Sequence, residues 1–292
     1  MADRYAPIGG QAVIEGVMMR SPRTVATAVR LGDGRIQVKA DSFVSISRRV
    51  RFFGLPIVRG AVVLVESLRI GVSALAFSAD AAVQSEKDQP KGGRRYGTLG
   101  LGMGATVILS FALAFAVFFY LPLKLTDLTG VREPFTYNLI DGMIRLGFFL
   151  CYVAMIGFWG EMRRVFMYHG AEHKTIHNLE SGLPLTPENA SGFSRFHPRC
   201  GTSFLFLVVI VSFIVFAFLG RPDTVGQRLL RFSLIPVIAG LSFEVIRFAG
   251  AHYDKPWVRW MSAPGMTLQR LTTREPSRDM LEVAIAALTA VL

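Results

Sequence analysis

The amino-acid sequence predicts a mainly α-helical, polytopic membrane protein with about four transmembrane helices, a small N-terminal β-containing cytoplasmic region and a C-terminal cytoplasmic helix. The mean hydropathy of the 292 residues is positive, and several runs of about twenty residues carry few or no charges, which is typical of membrane proteins. The net charge of +11 indicates contact with an anionic lipid bilayer. No stretch combines Lys, Arg and aromatic residues as a nucleic-acid groove would, so we predict no nucleic-acid partner.

The N-terminal region, residues 1–97, begins with a glycine-punctuated segment and a predicted hairpin. Residues 8–20 contain one carboxylate, Glu15, and form either a tight buried turn, which their composition favours, or a loop that presents Gln11 and Glu15 to a site. The runs 24–29 and 36–44 flank a Gly-Asp-Gly turn and are rich in β-branched residues. This pattern predicts a β-hairpin or small sheet.

Residues 60–82 have a helical, apolar pattern that charged residues interrupt on one face. The charge-free part, residues 70–79, is too short to cross about 30 Å of hydrocarbon. We therefore predict a helix that lies on the bilayer or packs against the spans, whereas a fifth span would move the N-terminal region to the other side. A polar linker at residues 84–96 follows.

The transmembrane domain, residues 98–250, contains the predicted spans and a His-rich cytoplasmic loop at 161–201. The four predicted spans are residues 96–123, 139–160, 200–220 and 232–246. Asp141 and Arg145, four residues apart near one membrane face, are expected to pair with each other.

The distribution of basic residues predicts the orientation. Lys and Arg number 15 in residues 1–97, 5 in 161–201 and 6 in 247–292, against 2 in 124–141 and 3 in 221–231. With four spans, the positive-inside rule places both termini and the His-rich loop in the cytoplasm. The two cysteines give no disulfide framework.

The C-terminal segment, residues 251–292, is predicted to be a cytoplasmic helical tail. Residues 252–257 form an interfacial turn with aromatic anchors, and residues 264–272 form a short helix. The final amphipathic helix is expected at 276–292, with Pro276 in its first turn.

Three of the five histidines, His169, His173 and His177, are spaced four residues apart. On a helix this spacing puts their imidazoles on one face with Glu172 beside them. The pattern His-x-x-Glu-His at residues 169–173 also matches the inverted zincin signature, in which two histidines hold a metal and the glutamate polarises water. The segment therefore indicates a metal site.

A fourth histidine, His197, lies three residues before Cys200, on the other side of a proline turn. Imidazole, thiolate and carboxylate are ligands that zinc prefers, so the predicted cofactor is a divalent metal, with zinc first. Alternatively, the histidines are a hydrogen-bonded structural set, His197 caps the next span and Cys200 is simply buried. Three protein ligands would leave a position for water and make Glu172 its proton acceptor, whereas four would make a structural ion.

Two further charged residues are candidates for the site. Glu244 lies at the cytoplasmic end of the fourth span, where it either pairs with Arg247 or completes the site as a ligand or base. Arg199 suits a lipid headgroup, or a phosphate or carboxylate substrate.

Four separated motifs resemble the YqhQ-type bacterial membrane proteins of the DUF1385 family. They cover residues 9–20, 169–177, 197–203 and 268–276, with the tail 281–284. The family is described as a predicted metal-dependent enzyme, so the resemblance implies a bacterial inner-membrane protein with a metal site. Its motif positions on this chain are Glu15, His169, Glu172, His173, His177, His197 and Cys200.

The leading functional prediction is a metal-dependent hydrolase at the cytoplasmic face of the membrane. His169, His173 and either His177 or His197 would hold the metal, and Glu172 would be the general base. The rival is a non-catalytic scaffold that forms a homo-oligomer or binds a membrane-protein partner, with a structural histidine cluster. A transporter is disfavoured because Glu244 is the only charge deep in the later spans.

Overall fold

The computed structural model describes residues 8–87 and 100–292 of the chain. The predicted polar linker lies outside the described residues from residue 88 onward, as does the predicted start of the first span at residue 96. The structure is mainly helical, with one antiparallel sheet near the N-terminus.

The sheet has four strands in the order β1-β2-β3-β4. The strands are β1 (Gly9–Val13), β2 (Gly16–Arg20), β3 (Thr24–Arg30) and β4 (Ile36–Ser42). The predicted hairpin at 24–44 is confirmed, and Gly34 has the positive φ of 88° that its turn requires. Residues 8–20 form a second hairpin rather than a single turn or loop, with Glu15 at its tip (φ 51°).

Twelve α-helices are described. They are α1 (Ile46–Arg49), α2 (Val58–Lys87), α3 (Gly100–Phe115), α4 (Leu121–Leu128), α5 (Pro134–Ile156), α6 (Gly160–Ser181), α7 (Pro187–Ser191), α8 (Gly201–Leu219), α9 (Val225–Ser233), α10 (Ile235–Ala251), α11 (Pro256–Thr272) and α12 (Arg278–Thr289). A 3₁₀ turn (Arg51–Gly54) follows α1, and a π-helical stretch (Ala116–Tyr120) joins α3 to α4.

One face of the sheet packs against α6 and α12. Val17 and Met19 of β2 share this core with Tyr168 of α6 and with Leu281 and Leu288 of α12. The core thus joins residues from the N-terminal, central and C-terminal segments of the sequence. We call the sheet with α6, α7 and α12 the sheet unit.

The opposite face of the sheet is covered by α2. Val13, Met18 and Val29 of the sheet pack against Ala74 and Ala81 of this helix. The other side of α2 carries an exposed apolar stripe with helical spacing. The stripe consists of Val65, Leu68, Val72 and Leu75.

Among the described residues, five helical segments have the length and apolar composition to cross a membrane, which indicates a multi-pass membrane protein. They are Val58–Val83, Ile108–Leu128, Pro134–Ile156, Gly201–Leu219 and Val225–Ala251. The last four correspond to the predicted spans, and Val58–Val83 is the helix that the sequence predicts to be interfacial.

The helix boundaries differ from the predictions where charges or prolines lie. The candidate segment that contains the fourth predicted span starts at Val225 rather than 232. It includes Arg231, which is buried inside the protein. Helix α11 begins at Pro256 rather than 264 and continues through Pro264. Pro276 precedes α12 instead of lying in its first turn, since Ser277 is the N-cap residue.

Candidate metal centre

Helix α6 carries the three histidines that are four residues apart. It runs without interruption from Gly160 to Ser181 and ends at Gly182, whose left-handed conformation (φ 76°) is typical of a helix C-terminus. Because the helix packs on the sheet with one side, its histidine side faces the chain before α8 and the C-terminal end of α11. The three histidines therefore share a face as predicted, whereas the carboxyl group of Glu172 lies toward the sheet, against Gly10, and is in neither group of potential metal ligands among the described residues.

His169, His173 and Cys200 bring three metal-ligating atoms within 4.8 Å of one another. The Nε2 atom of His169 lies 3.3 Å from Cys200 Sγ, and the two imidazole rings are 4.5 Å apart. Cys200 and His173 are buried. The three side chains come from α6 and from the residue that caps α8.

Backbone carbonyls fix the tautomers of both histidines. His169 Nδ1 lies 2.8 Å from the carbonyl oxygen of Thr272, and His173 Nδ1 lies 2.6 Å from that of Arg195. A carbonyl oxygen only accepts, so each Nδ1 carries the proton and each Nε2 presents a lone pair. His173 Nε2 is buried and has no hydrogen-bond partner among the described residues, so its lone pair is free to bind a metal ion.

His177, Glu180 and His197 form a second group within 4.8 Å. His177 Nε2 lies 2.9 Å from the carbonyl oxygen of Phe196, and His197 Nε2 lies 3.5 Å from a carboxylate oxygen of Glu180. Burial lowers the pKa of His197 to about 4, and the hydrogen bond that its imidazole donates to Glu180 opposes this shift. These polar atoms already have partners, in contrast to His173 Nε2.

Glu172 is buried between α6 and the first strand, where its carboxyl group lies against Gly10. Burial raises its pKa to about 7, while His169 and a hydrogen bond from the Gly10 backbone N–H oppose the rise. A side chain at residue 10 would press on this carboxyl group at about 3.0 Å. The hairpin of residues 8–20 therefore covers the side of α6 that carries Glu172.

Gln269 of α11 is fully buried and holds the backbone of His197. Its Oε1 accepts from the His197 backbone N–H at 2.8 Å, and its Nε2 donates to the His197 carbonyl oxygen at 2.8 Å. Gly170 allows residues after α11 to run along α6, because a Cβ there would overlap the carbonyl oxygen of Arg274. This contact keeps the Thr272 carbonyl beside His169.

The other predicted site residues lie apart from the first group or are engaged in ion pairs. Glu15 pairs with Arg164 of α6. Glu244 pairs with Arg59 rather than mainly with Arg247, which lies at 4.0 Å. This difference arises because the start of α2 packs against α10, where a Cβ on Gly60 would lie 2.7 Å from Gly240 Cα.

Arg199 forms an ion pair with Glu180. The expected pair of Asp141 and Arg145 is present at 2.8 Å.

Two residues of the site were not singled out from the sequence. Glu180 lies three residues after His177, so helical spacing alone places it on the histidine face. Gln269 lies within a motif of the family resemblance, but nothing in its local sequence indicates that it holds the His197 backbone.

The donor set fits a zinc ion. With typical Zn–N and Zn–S bond lengths, two ligands of a tetrahedral site are about 3.6 Å apart, close to the 3.3 Å between His169 Nε2 and Cys200 Sγ. Both histidines have the carbonyl partner on Nδ1 that metal-bound histidines usually have. Three ligands would leave one coordination position open.

Comparisons with known proteins give one family. The model of that family, described as "Protein of unknown function (DUF1385)", matches residues 55–292. "Uncharacterized protein YqhQ" of Bacillus subtilis (strain 168) is 34% identical, over 97% of this chain and 92% of that protein. No solved structure matches the chain. The family model begins at residue 55, after the sheet. The match to YqhQ includes nearly all of the chain and therefore also includes the sheet.

Proposed function

The chain belongs to the DUF1385 family, and on this premise we propose that it is a membrane protein with a hydrolytic divalent-metal centre. His169, His173 and Cys200 would hold the ion, which zinc suits best by ligand type. Glu172 would be the proton acceptor.

The observation that carries this proposal is the state of His173. A buried ring nitrogen without a partner costs about 1–3 kcal/mol, yet the other nitrogen of the same ring is held by a carbonyl at 2.6 Å. The ring is thus fixed with its lone pair toward His169 and Cys200. A metal ion would satisfy all three ligand atoms at once.

The chemistry follows from the open coordination position and from Glu172. A zinc ion with three protein ligands lowers the pKa of its bound water to about 7. A general base must lose its own proton at the working pH. Burial raises the pKa of Glu172 to about 7 in the metal-free protein, and a cation bound nearby would lower it again and favour the carboxylate. The Gly10 N–H would hold the carboxylate in place while it takes and returns the proton.

Elemental analysis of the detergent-purified protein tests the metal site. We expect about one zinc, manganese or iron per chain in the wild type, and a loss of that metal in His173→Ala. His252→Ala is the matched control, because His252 lies at the end of α10, outside both histidine groups, and should keep the metal. Absence of metal from wild type purified without chelators, and after incubation with zinc, would refute the proposal.

A structural ion in a non-catalytic scaffold is the second candidate function. It is supported by the way the group joins three elements, since His169 and His173 lie on α6, Cys200 caps α8 and Thr272 ends α11. The apolar helices would then serve self-association or a membrane-protein partner.

Glu172→Gln separates the two functions. A catalytic role predicts that the variant keeps its metal and loses the ability to rescue the phenotype of a strain lacking the protein. A scaffold role predicts full rescue.

We also propose four spans in the bacterial inner membrane, with both termini and the metal centre in the cytoplasm. Helix α2 would be a surface helix, since Glu66 accepts from the Ile46 backbone N–H at 2.7 Å and pairs with Arg20 at 3.2 Å. A sheet with open edges is not stable in hydrocarbon. Because α2 packs along the sheet from Glu66 to Ala81, the sheet would keep this part of the helix out of the hydrocarbon.

Fusions to each terminus test this topology. If the protein has four spans, both termini are cytoplasmic. Green fluorescent protein fused to either terminus should then fluoresce, and alkaline phosphatase fused to either terminus should be inactive. Opposite behaviour of the two ends would require an odd number of spans and would refute the four-span topology.

A further inference from the structure

Three arginines line one small cavity among the candidate spans, far from the metal centre. The cavity, of about 10 Å³, is bounded by Phe119, Leu123, Arg145, Phe216, Arg228, Arg231 and Phe232. It lies near Leu219, the end of α8 that is remote from Cys200. We call Arg145, Arg228 and Arg231 the arginine cluster.

The carboxylates around this cluster balance only two of its three charges. Asp141 pairs with Arg145 at 2.8 Å, and Asp127 pairs with Arg228 at 3.0 Å. No carboxylate within residues 8–87 and 100–292 forms an ion pair with Arg231. One positive charge is therefore left over.

Arg231 is held rigidly in spite of this surplus charge. It is only 4% exposed, and its Nη2 donates to Asn138 Oδ1 at 2.9 Å and to the carbonyl oxygen of Gly220. Its guanidinium lies over the Phe216 ring, 4.8 Å from the centroid. Its Nη1 is buried without a partner in the described part of the chain. Neutral partners thus fix the side chain and leave one donor unused.

An unbalanced charge in an apolar surrounding is expensive unless an anion accompanies it. The three guanidinium groups are held by protein partners, namely carboxylates for Arg145 and Arg228 and neutral groups for Arg231. They form a preorganised anion site, because their geometry does not depend on the ligand. Arginine is the side chain best suited to phosphate oxygens, which it binds with two parallel hydrogen bonds.

The depth of the cavity indicates where the anion would come from. Leu123 and Phe216 lie five and three residues from the helix ends at Leu128 and Leu219. With a rise of 1.5 Å per residue, the cavity is about 5–8 Å inside those ends, near the boundary between headgroups and acyl chains.

We propose that the arginine cluster binds a phosphate group, supplied by a membrane phospholipid. A volume of about 10 Å³ accepts one water-sized group. One phosphate oxygen would enter and accept a hydrogen bond from Arg231 Nη1, and the rest of the headgroup would remain outside. Phe119 and Phe232, which lie 6.2 Å apart between ring centroids, would contact the lipid beside it.

Binding of a short-chain phospholipid to delipidated protein in detergent tests the proposal. Dihexanoyl phosphatidylglycerol and inorganic phosphate are titrated separately, with the affinity measured from the shift in the thermal unfolding midpoint. The full-length protein is used with its metal centre unaltered and a chelator is present, so that phosphate cannot bind at a metal. The result is then independent of the proposed metal function.

Arg231→Gln is expected to abolish phospholipid binding. Arg228→Gln is expected to weaken it about tenfold or more, as loss of a charged hydrogen-bond donor does. Because Arg228 is partly exposed, we expect Arg228→Gln to fold. If Arg231→Gln does not fold, Arg228→Gln alone tests whether the arginine cluster binds the phospholipid. Arg221→Gln is the matched control, because Arg221 pairs with Asp223 in the neighbouring loop and does not line the cavity.

The two ligands distinguish the sources of the phosphate group. Binding of the phospholipid alone supports a lipid site, and equal binding of inorganic phosphate with the same dependence on Arg228 supports a phosphate site filled from water. The proposal is overturned if the protein with an unaltered arginine cluster binds neither the phospholipid nor inorganic phosphate. It is equally overturned if Arg228→Gln and a folded Arg231→Gln bind as the control does.

Discussion

Replacing Glu172 by Gln is predicted to stabilise the metal-free protein at alkaline pH. Burial raises the pKa of Glu172 in the folded protein from its ordinary 4.5 to about 7, so the unfolded chain releases this proton at a lower pH than the folded one. Between these two values, stability falls as pH rises, and above about pH 7 the loss is complete. Glutamine cannot ionise and escapes this loss.

The size of the effect follows from the difference in pKa. A pKa difference of about 2.5 between the folded and the unfolded protein corresponds to about 3 kcal/mol, of which about 2.5 kcal/mol appears between pH 5 and pH 8. For a chain of this size, 1 kcal/mol moves the unfolding midpoint by about 2–4 °C. The midpoint difference between Glu172→Gln and wild type should therefore grow by about 5–10 °C between these pH values.

The measurement is thermal unfolding in detergent with a chelator, followed by tryptophan fluorescence at pH 5 and pH 8. Comparing the variant with wild type at each pH cancels the titration of all other groups. Glu161→Gln is the control, because Glu161 is an exposed residue in the first turn of the same helix. A difference between Glu172→Gln and wild type that is the same at both pH values would refute the reasoning.

Three more variants probe the support of the metal centre. Gly170→Ala should lower stability by about 1–3 kcal/mol and weaken zinc binding, because the new Cβ overlaps the Arg274 carbonyl; an unchanged melting midpoint and zinc titration would contradict this. Gln269→Leu leaves the backbone N–H and carbonyl of His197 without partners and should cost about 2–5 kcal/mol in chemical denaturation, whereas a loss below 1 kcal/mol would show that water replaces the amide. Cys200→Ser should keep the hydrogen-bond acceptor at the start of α8 but lower the zinc content of the purified protein, and an unchanged zinc content by elemental analysis would exclude Cys200 as a ligand.

The candidate site was predictable from the sequence where one helix carries it. His169 and His173 share a face because helical geometry relates residues four apart, and this holds whatever the helix packs against. Cys200 and Gln269 come close to them only through the packing of α8 and α11. Their positions depend on contacts between residues distant in sequence, which local spacing does not encode.

The same distinction explains the helices and strands. Strands β3 and β4 are joined by a short turn with a glycine signal, whereas β1 and β2 are glycine-rich and lack strict alternation, so their pairing was not expected. The candidate segment Val225–Ala251 is longer than the fourth predicted span, because hydropathy counts the charge of Arg231 but not its hydrogen bonds to Asn138 and Gly220. Charged residues inside a membrane domain can be judged only with their partners.

The core of the sheet unit has a consequence for synthesis of the protein on the ribosome. Strands β1 to β4 are made first, but their face toward α6 is closed by Leu281 and Leu288 of α12. At about 5–20 residues per second, the sheet waits roughly ten to fifty seconds for this helix while the apolar helices are being inserted. During this interval its apolar face is available to chaperones, and a chain that stalls before α12 would have inserted helices without a finished core. Pulse-labelled chains should therefore become protease-resistant in the sheet only after α12 has left the exit tunnel.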